Sequence, residues 1–116
     1  IDVVEIEPAV VEAARFFRAS NNDAIDDPRV RLHITDGRSF LFAASKKYDV
    51  IVSAVSDPWI TGVSNLFTYE YFTELRNKLR DDDGVVSLWF QNYRITPEEL
   101  KVGLNTFARV FPYVNV

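Results

Sequence analysis

The chain has 116 residues, 47% hydrophobic and 26% charged, which suits one globular domain with a single core and is too short for two. No apolar run approaches the ~18–20 residues that cross a bilayer, and no secretory signal opens the chain. A net charge of −4 without a dense Lys/Arg cluster argues against a nucleic-acid partner, and the lack of Cys excludes disulfides, thiolate metal sites and cysteine nucleophiles.

Strand-like and helix-like segments alternate throughout, the signature of an α/β fold with a mostly parallel sheet. Residues 1–6 read as a strand, apolar except for Asp2 and Glu5. Pro8 suits the first turn of a helix with Glu7 as its cap, and Val10, Ala14 and Phe17 fall on one stripe predicted to be buried. A polar loop through Asn21, Asn22, Asp26, Asp27 and Pro28 follows, and Val30, Leu32 and Ile34 then alternate with Arg31, His33 and Thr35 as a second strand. Asp36-Gly37 ends that strand, and residues 39–45 read as a short helix.

The near-continuous apolar run 48–55 predicts a parallel strand covered on both faces. Residues 56–67, with Pro58 and Gly62, form a long loop and thus a candidate functional segment. Thr68 can cap a helix with Phe72, Leu75 and Leu79 as its stripe, stopped at Asp83-Gly84, and residues 85–90 are another strand. Thr96-Pro97-Glu98-Glu99 is a capping box with Pro in the first helical position, leading into Leu100, Leu104 and Phe107. Phe111-Pro112 breaks that helix, and residues 113–116 look like a strand beginning. There is no internal repeat or linker, so residues 1–116 read as one domain.

In open parallel sheets ligands bind at the carboxyl ends of the strands. Acidic or amide groups stand at each of these ends: Glu5-Ile6-Glu7, Asp36-Gly37, Ser56-Asp57-Pro58-Trp59 and Gln91-Asn92-Tyr93. Glu5 sits where nucleotide-binding domains place the carboxylate that accepts both ribose hydroxyls; the alternative is a solvated strand end. Asp36 can accept from an exocyclic amine such as adenine N6, with Gly37 allowing close backbone approach, or the two can be a turn. His33 has no metal-spaced partner and reads as structural, and no metal site is expected. The run Asp81-Asp82-Asp83 reads as solvated loop. Trp59, in the long loop, has a better claim to a ligand than Trp89.

In order and spacing, Val4-Glu5-Ile6-Glu7-Pro8, Asp27-Pro28-Arg29-Val30, Asp36-Gly37-Arg38, Tyr48-Asp49-Val50-Ile51-Val52, Ser56-Asp57-Pro58-Trp59, Leu66-Phe67-Thr68 and Asp83-Gly84-Val85 resemble the spermidine synthase family. Residues 58–68, with Trp89-Phe90-Gln91 and Thr96-Pro97-Glu98, look most like its domains that are often fused to membrane segments. The resemblance implies a methyltransferase-like Rossmann fold and aminopropyl transfer from decarboxylated S-adenosylmethionine to a diamine. That ligand, or S-adenosylmethionine itself, would be a co-substrate and not a permanent cofactor. Glu5 and Ile6 then map to the ribose-binding motif, and Asp36 and Gly37 to the adenine contact. Asp57 maps to the acid that handles the amine, with Trp59 and Gln91 beside it as substrate-binding positions.

The family's Asp-x-x-Asp-Pro becomes Ala54-Val55-Ser56-Asp57-Pro58 here, so a methyl group stands where the base is expected and Asp57 is left as the catalytic candidate. Two other functions stay open: a non-catalytic adenosyl-ligand-binding or sensing domain, and an S-adenosylmethionine-dependent small-molecule methyltransferase. The resemblance also implies that the family's central first strand and glycine loop precede Ile1, in a sheet of order 3-2-1-4-5. Without that strand, the first strand here is expected either to pair directly with the third or to find a partner in another copy. A homo-oligomer, a small-molecule amine partner and a cytoplasmic location, as a free domain or attached to membrane segments, complete the expectations.

Overall fold

The computed structural model describes residues 1–55, 57–91 and 93–116. Strands β1 (Asp2–Glu5), β2 (Arg31–Ile34), β3 (Val50–Ser53) and β4 (Val85–Leu88) alternate with helices α1 (Pro8–Ala14), α2 (Arg18–Asn21), α3 (Gly37–Ala43), α4 (Tyr69–Asn77) and α5 (Pro97–Ala108). Short 3₁₀ turns cover Arg15–Phe17, Ala24–Asp26 and Val63–Phe67. The chain divides into two compact units, Ile1–Ala43 and Ala44–Val116.

In the first unit β1 and β2 pair in parallel, with Asp2 opposite Arg31 and Glu5 opposite Ile34. The crossover runs through α1 and α2, and α1 starts as expected: Pro8 occupies the first turn and the Glu7 carboxylate accepts from the Ala9 amide at 3.0 Å. The predicted buried stripe does not form. Val10 is 51% exposed and Phe17 63%, because a sheet two strands wide offers too little surface to cover a helix. His33 is structural: its Nε2 lies 3.1 Å from Asp2 Oδ1, and its ring packs 4.6 Å from that of Phe40.

In the second unit β3 and β4 pair in parallel, Val50 opposite Val85 and Ser53 opposite Leu88. The core sits on α4, where Phe72 and Leu75 are wholly buried as their spacing predicts, and Leu79, just past the helix end, is nearly so. Phe72 meets Phe107 of α5 edge-to-face at 5.1 Å, and Phe107 stacks on Phe111 at 4.4 Å. Thr68 caps α4 by accepting from the Tyr71 amide. The capping box of α5 is complete, with the Thr96 hydroxyl accepting from the Glu99 amide and the Glu99 carboxylate accepting from the Thr96 amide.

Helix α4 ends at Asn77 and not at Asp83-Gly84, because Leu79 leaves the helix to form a bridge with Tyr48. Gly84 instead closes a turn on the Asp81 carbonyl. Residues 113–116 are not a strand, since no neighbour pairs with them among the described residues. The described strands form two separate two-stranded sheets, so the expected direct pairing of β1 with β3 is not made. Each pair is instead joined by its own crossover, α1–α2 for β1–β2 and α4 for β3–β4.

Candidate ligand site at the strand ends

The parallel register brings Glu5 and Asp36 to the same end of the β1–β2 pair. Glu5 faces Ile34, the Thr35 amide donates to the Glu5 carbonyl at 3.0 Å, and Asp36 follows immediately. Glu5 Oε1 accepts from the Glu7 amide at 2.9 Å, which fixes the carboxylate at the strand end and leaves acceptor capacity on two oxygens. Ile6, between the two acids, is exposed.

Asp36 caps α3: its carbonyl accepts from the Phe40 amide and its Oδ1 from the Ser39 amide at 2.7 Å. Hydrogen bonds from the Ser39 hydroxyl and amide hold the Asp36 carboxyl below the usual carboxylate range. It is therefore an anionic acceptor at neutral pH. Gly37 has no positive φ that would require glycine, and a Cβ built there meets nothing within 4 Å. The space beside Asp36 is open.

The β3–β4 pair repeats the arrangement. The Trp89 amide donates to the Ser53 carbonyl at 2.9 Å, so the segments holding Asp57 and Gln91 leave the same end of this pair. Ser53 is buried and its hydroxyl lies 3.4 Å from that of Tyr71. Ala54, the next residue, is exposed. The long loop is not irregular: the Ile60 amide donates to the Asp57 carbonyl at 3.1 Å, closing a turn with Pro58 and Trp59 at its centre. Gly62, with φ of 93°, then turns the chain into the 3₁₀ segment Val63–Phe67, anchored by Phe67 packing edge-to-face on Phe90.

Asp57 Oδ1 is buried and has no hydrogen-bond partner among the described residues. Such an acceptor has room for a donor from an ordered water or from a ligand. Gln91 is oriented by the Trp89 indole N–H, which donates to its Oε1 at 3.1 Å. Trp59 meets Tyr93 with ring centroids 5.7 Å apart and planes at 65°. Sequence reading named Tyr93 as a strand end but not as a site residue, since a ring contact across two loops has no signature in spacing. Ser56 and Asn92, also named at these ends, lie outside the described residues.

Among the described residues no group of His, Asp and Glu could hold a metal, and no helix is long and apolar enough to cross a membrane. A half-open groove of about 920 Å³ lies at the opposite end of β4, bordered by Asp81, Val85 and Phe111; Asp57, Trp59 and Gln91 do not line it.

The spermine/spermidine synthase domain family matches residues 1–116. The chain is 34% identical over 117 residues to a polyamine aminopropyltransferase of Pyrobaculum calidifontis, covering 97% of this chain and 40% of that one. It is 36% identical over 119 residues to a spermine synthase of Saccharomyces cerevisiae, covering 97% of this chain and 39% of the relative. Among solved structures, a spermidine synthase in complex with the transition-state analogue AdoDATO superposes with a TM-score of 0.73 at 27% identity, over 97% of this chain and 36% of that one. The spermidine synthase from Thermotoga maritima has the same fold, with a TM-score of 0.76 over 97% of this chain and 37% of that one. The chain thus spans well under half the length of these relatives.

Proposed function

Since the chain belongs to the spermine/spermidine synthase family and is a spermidine synthase-like domain of methyltransferase-like fold, we propose that the whole protein binds an adenosyl aminopropyl donor and an amine. In this reading Glu5 accepts the ribose hydroxyls, exposed Ile6 lies against the nucleoside, and Asp36 accepts from adenine N6 across the open space at Gly37. Asp57 receives the ammonium of the acceptor, with Trp59 and Gln91 beside it. Decarboxylated S-adenosylmethionine is the donor that fits this reading, because relatives carry the name aminopropyltransferase and one neighbour holds an analogue of that reaction's transition state.

The observation that carries the amine half is the buried, unpartnered Asp57 oxygen. An alkylamine with a pKa of roughly 10 arrives protonated and must lose a proton before its nitrogen can attack the carbon next to the sulfonium. A carboxylate can hold the cation and accept that proton. The nitrogen then forms the new C–N bond as the C–S bond breaks, and the sulfur leaves as neutral methylthioadenosine.

Ala54 favours a second reading, in which adenosine recognition is retained and transfer is not. Full-length protein incubated with decarboxylated S-adenosylmethionine and 1,4-diaminobutane separates the two. Methylthioadenosine release supports transfer; adenosyl-ligand binding without release supports the non-catalytic reading. Binding of neither ligand overturns both. Light scattering of the full-length protein tests the further proposal that it assembles as a homo-oligomer.

A further inference from the structure

Helix α5 carries a glycine at a place where glycine weakens a helix. Gly103 lies in the middle of Pro97–Ala108, where alanine is the stronger helix former and glycine loses the most backbone freedom on folding. Its φ is not positive, so the backbone conformation does not require glycine there. Close approach does. A Cβ built on Gly103 would stand 2.6 Å from both Cε2 and Cζ of Phe90, well inside van der Waals contact.

Phe90 connects that approach to the candidate site. It follows β4, between Trp89 and Gln91, and meets Phe67 with ring centroids 5.2 Å apart and planes at 81°. From Phe67 the chain runs back to the acid through a series of backbone hydrogen bonds. The Asn65 amide donates to the Gly62 carbonyl at 3.2 Å, the Val63 amide to that of Ile60 at 3.0 Å, and the Ile60 amide to that of Asp57 at 3.1 Å. The Thr68 hydroxyl donates to the Asn65 carbonyl at 3.3 Å, which ties the far end of the loop to the cap of α4. The loop is therefore bonded along its length and anchored at Phe67. A methyl group on Gly103 would displace the Phe90 ring, and that ring cannot shift without changing its contact with Phe67.

We infer that Gly103 is a positioning residue. By letting α5 close on Phe90 it fixes Phe67, and through the bonded loop it fixes the Asp57 carboxylate relative to Gln91. It touches no ligand itself. Its consequence for binding rests on the amine-binding reading above.

The test uses full-length protein and two readouts. One is hydrogen exchange of the Ile60, Val63 and Asn65 amides without ligand; the other is calorimetric binding of 1,4-diaminobutane and of methylthioadenosine. Gly103→Ala is expected to speed exchange in the loop. It should weaken diamine binding by roughly 2- to 12-fold, the weight of one edge-to-face contact, and leave methylthioadenosine affinity unchanged. Phe90→Leu removes the two ring atoms that would clash. It should show a loss of its own, and none further when combined with Gly103→Ala. Val102→Ala, at an exposed neighbour on α5, should alter neither readout. A Gly103→Ala protein that melts lower but keeps its loop exchange and diamine affinity overturns the inference and leaves the glycine a packing residue. Equal loss for both ligands, or additive losses in the double variant, overturns it as well. If loop exchange responds as expected but the parent binds no diamine, the anchor stands and the amine-binding reading falls.

Discussion

Replacing Ala54 with Asp puts a carboxylate where the family's amine-handling motif has its first acid. Ala54 is exposed and follows the last residue of β3, so the new side chain extends into solvent without displacing the buried Ser53–Tyr71 pair. A surface substitution of this kind changes stability by about 0.5 kcal/mol or less. Three residues span at most ~10 Å, so repulsion from Asp57 adds about 1 kcal/mol at an effective dielectric near 40. The fold should therefore survive, with its melting temperature lowered by only a few degrees. A positioned general base contributes roughly 10²–10⁴ in rate, or about 3–5 kcal/mol of barrier. Full-length Ala54→Asp should release methylthioadenosine at least ~100-fold faster than the parent in the presence of decarboxylated S-adenosylmethionine and 1,4-diaminobutane. Ala54→Asn, similar in shape but unable to take the proton, is the control. If the Asp variant is no faster than the Asn variant, the missing base is not what limits transfer. If it melts far below the parent, the position is not open as described.

Four further outcomes follow from the same structure. Phe72→Ala removes a wholly buried ring and should destabilise the protein by about 3–5 kcal/mol in urea unfolding. A double-mutant cycle with Phe107 should give ~0.5–1.5 kcal/mol of coupling for their edge-to-face contact. Thr96→Ala should cost about 1 kcal/mol, and the Glu99 carboxyl, held low by hydrogen bonds from the Thr96 amide and hydroxyl, should titrate closer to its ordinary value by NMR. The carboxyls of Glu74, held low chiefly by Lys78, and of Asp36, held low chiefly by Ser39, favour the folded state when ionised. Their contribution is complete above the ordinary values of 4.5 and 3.8 and is lost as pH falls below these through the folded-state values. Lys78→Met and Ser39→Ala should each flatten the acid limb of a stability–pH curve, and an unchanged limb would refute the assignment.

What was legible in the sequence was local. The Thr96–Glu99 box, the Thr68 cap and the Phe72–Leu75 stripe each depend on residues within two turns of one another, so spacing alone carries them. The strand ends holding Glu5, Asp36, Asp57 and Gln91 followed from the α/β alternation, and the paired registers bring Glu5 together with Asp36 and the Asp57 segment with that of Gln91. Features set by distant partners were not legible. Leu79 leaves α4 because Tyr48, thirty-one residues earlier, offers a bridge. Val10 and Phe17 have helical spacing but face a sheet too narrow to cover them. The Trp59–Tyr93 contact exists only once β3 and β4 are side by side.

The central claim, that the acidic strand ends hold an adenosyl ligand, is tested most directly by calorimetric binding of methylthioadenosine to full-length protein and to its Glu5→Gln variant. Hydrogen bonds from two ribose hydroxyls to a carboxylate contribute ~1.5–3 kcal/mol, so the variant should bind about 10- to 150-fold more weakly while melting at the same temperature. Equal affinity in the two proteins would contradict the account, leaving Glu5 as a strand end that does no more than accept from the Glu7 amide.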